Sequence, residues 1–329
     1  MILNLKLLLS QGGISMKIQK LFALPLLCGS ILLTIIIFYF FLLNNRSTSL
    51  PQPEEEHLIG DGVYFNIFTE ETKGKEITGI FSNVNNDTIF YASIQNSGQD
   101  RLTKLTCYIN YVQASIEFLD STYTKEDIHL QDGDNIIIPF KIKTPINSST
   151  NSKMLCSLSL GIDQHESDTK YQTTQHTISY DYLIQNNEAT TDVPLNFICD
   201  KNTNYSSSSF PGIVLNTDFT NTSDVKLPPY ELTVSSGKPF DLSYKLGYIS
   251  SDTTLLLITI DYEQAKINND STSLLIKTQN NQLASGTISL TAPSSKGKYE
   301  LCAIAIPSPN SLNAFEPLEN SYRFTLNVI

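Results

Sequence analysis

The residues of this chain whose types and spacing could do chemistry are its cysteines and a small acid–histidine group. Of the five cysteines, Cys28 lies in an apolar run, and the other four fall into two pairs along the chain, Cys107 with Cys156 and Cys199 with Cys302. Thiols outside the cytoplasm commonly pair as structural disulfides. Four cysteines allow three connectivities, and the sequence alone does not choose among them.

Pairing within each half of the chain, Cys107–Cys156 and Cys199–Cys302, is the connectivity that needs no crossing between domains. Each such bridge is expected to contribute about 2–4 kcal/mol, chiefly by restricting the unfolded chain. All four cysteines are in phase with apolar neighbours, which predicts that they point into a core. The alternative interpretation is buried free thiols that pack as small hydrophobic side chains.

Asp163, His165 and Glu166 form the acid–histidine group. The histidines (His57, His129, His165 and His176) show none of the close pairing that metal ligands on one element require. A metal site here would need ligands from elsewhere, whereas a solvated loop needs none. Asp132-Gly133-Asp134 lacks the dense acidic spacing of a calcium loop and favours a hairpin turn. We therefore predict no metal site.

Motifs of catalysis are missing from the sequence. It contains no Gly-x-Ser-x-Gly elbow, no phosphate-binding glycine loop with lysine, and no zinc-type cysteine pair. Glu70 and Glu71 are adjacent, so in a strand they face opposite sides and cannot act together as acid and base. We predict no catalytic residue, no cofactor and no enzymatic activity.

The elements that would position any site are strands, because apolar residues recur with a period of two. Three of these rows are Ile136, Ile138, Phe140 and Ile142; Phe240, Leu242, Tyr244, Leu246 and Tyr248; and Tyr322, Phe324, Leu326 and Val328. Such alternation is typical of antiparallel strands with one face on a core and one in water. Turn signals such as Asn96-Ser97-Gly98 and Ser236-Gly237 separate the rows. The pattern predicts an all-β protein of two tandem immunoglobulin-like antiparallel β-sandwiches.

The turn sequences resemble those of bacterial cell-adhesion-related (CARDB-type) immunoglobulin-like domains. The segments that carry the resemblance are 89–98, with a strand entering Asn-x-Gly, 130–134, with Leu-x-x-Gly, and 158–163, with a strand ending near Asp; 234–240 and 297–301 give a looser match. The resemblance implies the sandwich fold and suggests surface display. Members of this family serve many purposes, so no functional site carries over.

Leu21 to Leu43 is an apolar run of 23 residues without a charge. As a helix it would be roughly 35 Å long, enough to cross a bilayer. Lysines precede it and Glu54 to Glu56 follow it, which predicts a single-pass signal-anchor with a cytoplasmic N-terminus and extracytoplasmic C-terminal domains in the cell membrane. A cleaved signal peptide is the alternative, although its apolar core is normally about 7–15 residues.

These features predict a domain plan. It comprises a cytoplasmic N-terminus (1–20), the transmembrane helix (21–43), a stalk linker (44–57) and two sandwich domains (58–187 and 188–329). Residues 1–15 are interpreted as upstream of the true start, because Gln11-Gly12-Gly13 could be encoded by a bacterial ribosome-binding sequence just before Met16.

The net charge of the chain limits the kinds of partner that it can bind. The chain has 22 basic and 33 acidic residues, and four of the basic but none of the acidic residues precede residue 48, so the remainder carries a net charge of −15. A domain this acidic repels phosphate backbones, which argues against nucleic acid. A protein or glycan outside the cell is the partner we expect, with exposed tyrosines as candidate contacts (Tyr108, Tyr111, Tyr123, Tyr205 and Tyr230).

Two functional classes fit these predictions. The first is a membrane-anchored scaffold or adhesion module at the bacterial cell surface that binds through its two immunoglobulin-like domains. The second is a non-catalytic subunit of an envelope complex for secretion, wall synthesis or signalling. An enzyme of unknown type is a distant third.

Overall fold

The computed structural model describes residues 61–73, 79–123, 128–147, 150–169, 176–186, 193, 195–207, 210, 212–217, 227–247, 251–279, 281–313 and 318–329. Across these residues the regular structure is β-strand, apart from one short 3-10 turn at Glu166–Asp168. The chain from Leu58 to Ile329 forms one compact unit. The all-β prediction is confirmed for this part of the chain.

Ten strands build the N-terminal sandwich. They are β1 (Gly62–Thr69), β2 (Ile80–Ser82), β3 (Phe90–Ser97), β4 (Arg101–Ile109), β5 (Val112–Ala114), β6 (Ile116–Phe118), β7 (Ile128–Leu130), β8 (Asn135–Ile142), β9 (Ser152–Leu160) and β10 (Thr177–Gln185). One sheet has the order β1-β3-β8-β6 and is called outer sheet 1. The other, inner sheet 1, has the order β2-β10-β9-β4, with β5 and β7 both beside β4.

Eleven further strands build the C-terminal sandwich. They are β11 (Asn204–Ser207), β12 (Ile213–Asn216), β13 (Glu231–Val234), β14 (Pro239–Leu246), β15 (Thr253–Ile260), β16 (Glu263–Gln264), β17 (Leu274–Lys277), β18 (Gln282–Thr291), β19 (Gly297–Pro307), β20 (Glu319–Asn320) and β21 (Phe324–Val328). Outer sheet 2 has the order β11-β18-β14-β12. Inner sheet 2 has the order β13-β21-β19-β15, with β16 and β17 beside β15 and β20 beside β19.

The strand order is that of an immunoglobulin-like fold. In the N-terminal sandwich, β1-β3-β8-β6 corresponds to A-B-E-D, and β4-β9-β10 corresponds to C-F-G. The C-terminal sandwich repeats this arrangement, except that β11, which precedes the A-type strand β12 in the chain, occupies the D-type edge. Pairing is antiparallel, as the alternation predicted, except that β2 runs parallel to β10 and β13 runs parallel to β21.

Each sandwich encloses its own core. In β8, Ile138, Phe140 and Ile142 are buried, whereas Ile137 faces solvent with 51 % of its surface exposed. They pack against Met154, Cys156 and Tyr182 of inner sheet 1. The second core is formed in the same way by residues that include Leu242, Tyr244, Ile258, Ala303 and Leu326. Alternation therefore places one side of each strand in a core, as the sequence predicts.

The central strands of the inner sheets are buried on both faces. Eight of the nine residues of β9 are buried, and so are six consecutive residues of β15 and eight of β19. The second buried face belongs to an apolar cluster shared by the two sandwiches: Tyr108, Tyr111, Leu155, Leu255, Leu257, Ile304 and Ile306. Inner sheet 1 is therefore docked against inner sheet 2, and we call this contact the junction.

The chain between the sandwiches also packs on the junction. Leu195 and Phe197 lie against its apolar cluster, and the Val193 amide donates to the Asn310 carbonyl at 3.0 Å. The chain then pairs Cys199 with Leu275 in a parallel bridge and continues into β11. The connection is therefore part of the folded structure where it is described.

Two turns at one end of the N-terminal sandwich hold each other. Gly98 has a φ of +101°, and a Cβ there would lie 2.5 Å from a carboxylate oxygen of Asp61, so the turn requires glycine. The Gly98 amide donates to Asp132 at 2.7 Å, and the Gly133 amide donates to the Asn96 carbonyl at 3.0 Å. Asp132 therefore serves a turn, as predicted.

The prediction of a single-pass membrane protein with extracytoplasmic domains is corrected. In the part of the chain that the structure describes, no helix is both long and apolar enough to cross a membrane. The segments on which the prediction rested, 1–20, 21–43 and 44–57, lie outside the described residues, as do Cys28 and Met16. The boundary between 58–187 and 188–329 stays a prediction, and residues 187–192 at that boundary are likewise outside the described part.

The register of β8 can be tested with two neighbouring isoleucines. We expect Ile138→Ala to lower the free energy of unfolding by about 2–5 kcal/mol, because it empties space in a fully buried site. Ile137→Ala is the matched control and should change it by less than about 0.5 kcal/mol, because that side chain faces solvent. Urea unfolding of both variants measures the difference. Equal losses would show that the strand is placed one residue out of register.

Candidate functional site at the junction

The turn that follows β9 carries acidic and histidine side chains into the junction. It runs through Gly161, with a φ of +60°, to the 3-10 turn at Glu166–Asp168. The Glu166 side chain is fully buried, and its backbone amide lies 3.3 Å from an oxygen of Glu300 in β19 of the other sandwich. Each sandwich therefore contributes one buried carboxylate to the same place.

Arg323, which directly precedes β21, lies between these carboxylates. Its Nε is 3.1 Å from Glu300 Oε2 and 3.6 Å from Glu166 Oε2. Its terminal nitrogens donate across the junction to carbonyl oxygens of the turn after β9, at 3.3–3.4 Å: Leu160, Gly161 and Gln164. The guanidinium, which is almost completely buried, thereby satisfies groups that only the N-terminal sandwich supplies.

Two histidines and two hydroxyls complete this group, which we call the charged cluster. His165 Nδ1 lies 3.1 Å from Glu300, and His176 Nε2 lies 3.1 Å from Glu166. The Thr325 hydroxyl donates to Glu300 at 2.7 Å, and Arg323 donates to the Tyr262 hydroxyl at 3.0 Å. Burial raises the pKa of Tyr262, against the opposing effect of Arg323.

The charged cluster has the donor types of a metal centre but a different architecture. The cation between its two carboxylates is the guanidinium of Arg323. Within the described residues, no group of three or more histidine, cysteine, aspartate or glutamate side chains is placed to hold a metal ion. The chemistry that this arrangement can perform is charge pairing between two sandwiches.

Part of this cluster could be read from the sequence. His165 and Glu166, two members of the predicted acid–histidine group, lie in it, whereas Asp163 is exposed on the turn. His176, Glu300 and Arg323 were missed as members. One signal was present for Glu300, because it is in phase with the apolar residues Ile304 and Ile306, where a charge is out of place unless it is paired.

A second polar contact anchors the loop after β19. Lys153 and Asp181 are both buried, and their charged atoms are 2.8 Å apart. Lys153 also donates to the carbonyl of Asn313 at 2.5 Å. The Tyr111 hydroxyl is 3.0 Å from Asp181 and 3.3 Å from the Pro309 carbonyl. Inner sheet 1 therefore holds the 309–313 loop of the C-terminal sandwich.

At the edge of the junction, β5 meets β16 through reciprocal glutamine contacts. The backbone N–H of Gln113 donates to Oε1 of Gln264 at 2.8 Å, and the backbone N–H of Gln264 donates to Oε1 of Gln113 at 2.6 Å. Lys104 pairs with Glu263 at 2.7 Å beside them. Contacts of this kind fix the register of two edges.

A small cavity lies between the inner sheets. Its volume is about 10 Å³, and the residues that line it include Thr106, Ser157, Ser159, Thr177 and Thr259. A space of this size is close to the minimum for one water molecule. It is far smaller than the hundreds of cubic ångströms of a substrate pocket.

The tyrosines that the sequence offered as exposed contacts divide into two groups. Tyr108 and Tyr111 are buried in the junction, so for them the prediction is wrong. Tyr205 and Tyr230 are exposed, and Tyr123 is partly buried. The alternation of β4 placed Tyr108 on the face opposite the core, but that face is covered by the second sandwich.

The four cysteines of the described residues lie in three different surroundings. Cys107 and Cys156 face each other in the core of the N-terminal sandwich, with their sulfur atoms 3.1 Å apart, and both are free thiols here. Cys302 lies on the junction face of β19, not in the C-terminal core, and contacts Ser321. Cys199 lies before β11, where its sulfur is 3.7 Å from the Asp200 carbonyl. The predicted connectivity therefore stays a prediction.

Comparison with known proteins finds likenesses among solved structures only. No family model and no curated protein matches it. Among solved structures, it is similar to the CARDB domain of a Pyrococcus furiosus protein in complex with di-metal ions, at 16 % identity over 37 % of this chain and 97 % of that chain, with a TM-score of 0.25. This agrees with the fold-level resemblance found in the sequence.

Two further structures show how broad this likeness is. A chaperone–tip adhesion subunit complex from chaperone-usher pili of Acinetobacter baumannii is 8 % identical over 81 % of this chain and 99 % of that chain, with a TM-score of 0.26. A family 123 glycoside hydrolase from Clostridium perfringens is 15 % identical over 36 % of this chain and 27 % of that chain, with a TM-score of 0.24. The immunoglobulin-like fold is assigned from the strand order of the chain itself, and these likenesses do not say what the chain binds.

Arg323 is the residue whose loss should weaken the junction most. We expect Arg323→Ala to lower the free energy of unfolding by about 3–5 kcal/mol, because it leaves Glu166 and Glu300 buried without their cation. Lys298→Ala is the control: Lys298 pairs with the exposed Asp168 at 3.0 Å, at the rim of the same contact, and lowers the pKa of that carboxyl. Chemical denaturation should show no measurable change for the control. A stability of Arg323→Ala equal to that of the wild type would contradict this account of the cluster.

Buried tyrosines predict a loss of stability at alkaline pH. Burial raises the pKa of Tyr108 and Tyr262 above the ordinary value of about 10, so the folded state keeps phenol protons that the unfolded chain loses. The free energy of unfolding should therefore fall as the pH rises above about 10. Tyr108→Phe and Tyr262→Phe should each reduce this slope by up to about 1.4 kcal/mol per pH unit in urea unfolding at a series of pH values. Unchanged slopes would refute the assignment.

Proposed function

We propose that this protein is a non-catalytic interaction protein, a scaffold or binding module that presents two immunoglobulin-like sandwiches in one fixed relative geometry. The observation that carries the proposal is the charged cluster at the junction. Arg323 of one sandwich donates to carbonyls of the other while pairing with a carboxylate from each. Arg323 can make all of these contacts in one docked arrangement, which favours a rigid body over two independent domains.

Two features support binding over catalysis. The acidic and histidine side chains of the cluster contact Arg323 or each other, so they are engaged in holding the fold. The cavity beside them, at about 10 Å³, has no room for a substrate. A general acid or base needs a substrate within hydrogen-bonding reach.

A partner would have to bind on the outer faces, edges or ends, because the inner faces are occupied by docking. Outer sheet 1 presents a cross-strand row of Phe68, Tyr91 and Pro139. The two aromatic rings stack with centroids 5.2 Å apart, and Ile137 is exposed on the same face two residue pairs further along the strands. Half-exposed aromatic side chains are typical anchors of protein interfaces, so we propose a protein partner at this row.

The test is crosslinking in cells that produce the full chain, followed by affinity purification and identification of the recovered molecules. We expect a reproducible set of proteins with the wild type and its loss with Tyr91→Ser. Tyr230→Ser is the matched control, because Tyr230 is also exposed but lies in the other sandwich, just before β13. Recovery of a glycan in place of a protein would replace the proposed partner class.

Fixed geometry and absence of catalysis have tests of their own. Arg323→Ala should widen the distribution of shapes seen by small-angle X-ray scattering, whereas the wild type should scatter as one rigid body. Hydrolytic turnover of glycoside, ester or peptide substrates that Glu166→Gln abolishes without unfolding the protein would contradict the proposal. Unchanged scattering of a folded Arg323→Ala variant would remove its structural basis.

A further inference from the structure

We propose that Cys107 and Cys156 form a disulfide that joins β4 to β9 and thereby fixes the register of the sheet on which the C-terminal sandwich docks. The two strands are the centre of inner sheet 1. Both cysteines are completely buried in the N-terminal core. This inference does not depend on the identity of any partner.

The strand pairing puts these cysteines in suitable positions. They are direct cross-strand partners, and the Asn110 amide donates to the Lys153 carbonyl three pairs along, at 2.8 Å. Hydrogen-bonded and non-hydrogen-bonded pairs alternate in an antiparallel ladder, so Cys107 and Cys156 form a non-hydrogen-bonded pair. Such pairs have Cα atoms about 4.5 Å apart, within the range of about 4.4–6.8 Å for disulfides. The sulfur atoms already lie 3.1 Å apart.

The bridge would act on the junction through the alternation of the two strands. Thr106 and Tyr108 flank Cys107, and Leu155 and Ser157 flank Cys156; these four residues point to the opposite face. They line the small cavity or belong to the apolar cluster of the junction. A shift of one residue between β4 and β9 would exchange their faces, and a covalent bond between the cysteines forbids that shift.

The chemistry is a two-electron oxidation. Two S–H bonds break and one S–S bond forms, while two protons and two electrons pass to a disulfide acceptor, which is reduced to two thiols. Oxidised glutathione or a thiol–disulfide oxidoreductase is the acceptor class. Burial raises the pKa of the Cys156 thiol, and exchange requires an accessible thiolate. We therefore expect the bridge to form while the chain folds, before the core closes.

The other two cysteines supply an internal control. Cys302 pairs across strands with Thr259, and its sulfur contacts Ser321. Cys199 lies beside Leu275 and contacts the Asp200 carbonyl. Neither is placed opposite another cysteine in the register of the described strands, so both should remain thiols.

The experiment is oxidative refolding of the full chain. The protein is reduced and unfolded, refolded with reduced and oxidised glutathione, quenched with acid, and alkylated under denaturing conditions so that buried thiols react. Peptide mapping by mass spectrometry should show a peptide pair linked through Cys107 and Cys156, with Cys199 and Cys302 alkylated. Alkylation of Cys107 and Cys156, or linkage of either to another cysteine, would overturn the proposal.

Stability measurements give a second readout. The bridge closes a loop spanning 49 positions. Reductant should therefore lower the folding equilibrium constant of the wild type on the order of a hundred- to a thousand-fold. The same response should persist in Cys199→Ala and Cys302→Ala and be absent from Cys107→Ala. If Cys107→Ala does not fold, the two control variants and the peptide map still decide. A wild type with equal stability with and without reductant would overturn the proposal.

Discussion

The guanidinium of Arg323 is the group on which the arrangement of the two sandwiches depends. A buried charge is costly unless it is paired and hydrogen-bonded. Arg323 is paired with Glu300 inside its own sandwich, but it reaches the carbonyl oxygens of Leu160, Gly161 and Gln164 only when the turn after β9 lies against it. Glu166 depends on docking too, because the guanidinium of Arg323 beside it belongs to the C-terminal sandwich. Separating the sandwiches would break the Arg323–Glu166 pair and the hydrogen bonds from Arg323 to the turn after β9, which makes docking specific to one geometry.

Apolar burial and charge pairing have different roles at the junction. The cluster of Tyr108, Leu155, Leu257 and Ile304 with its neighbours removes apolar surface from water, and this burial has no preferred direction. Apolar contact alone would therefore not fix the lateral position of one sheet on the other. The charged cluster at one end, the Lys153–Asp181 contact with the 309–313 loop, and the paired Gln113 and Gln264 at the edge each require a particular position. Together they select one position from those that apolar contact allows.

The sequence was sufficient for the fold of each sandwich and insufficient for their docking. A period of two predicted β8 and β14 because alternate residues of each strand are apolar and point into a core. In β15 the period of two predicted only the face that carries Leu256 and Ile258, which points into the core. Leu255 and Leu257 on the opposite face are also apolar, which indicates that this face is covered as well. Arg323 could not be predicted, because it sits on the polar side of its strand row and its carbonyl partners are about 160 residues away.

The two sandwiches also differ in how their central strands are held, although their topology is alike. The β4–β9 pair has cysteines opposite each other on the core face, where a bond between them would restrain the strands from within. The equivalent β15–β19 pair has Thr259 opposite Cys302, and these face the junction. Its core face carries alanines, Ala303 and Ala305, which pack closely but cannot be cross-linked. A covalent restraint on the central strands is therefore open to the N-terminal sandwich alone, whereas the central strands of the C-terminal sandwich are held by hydrogen bonds and packing.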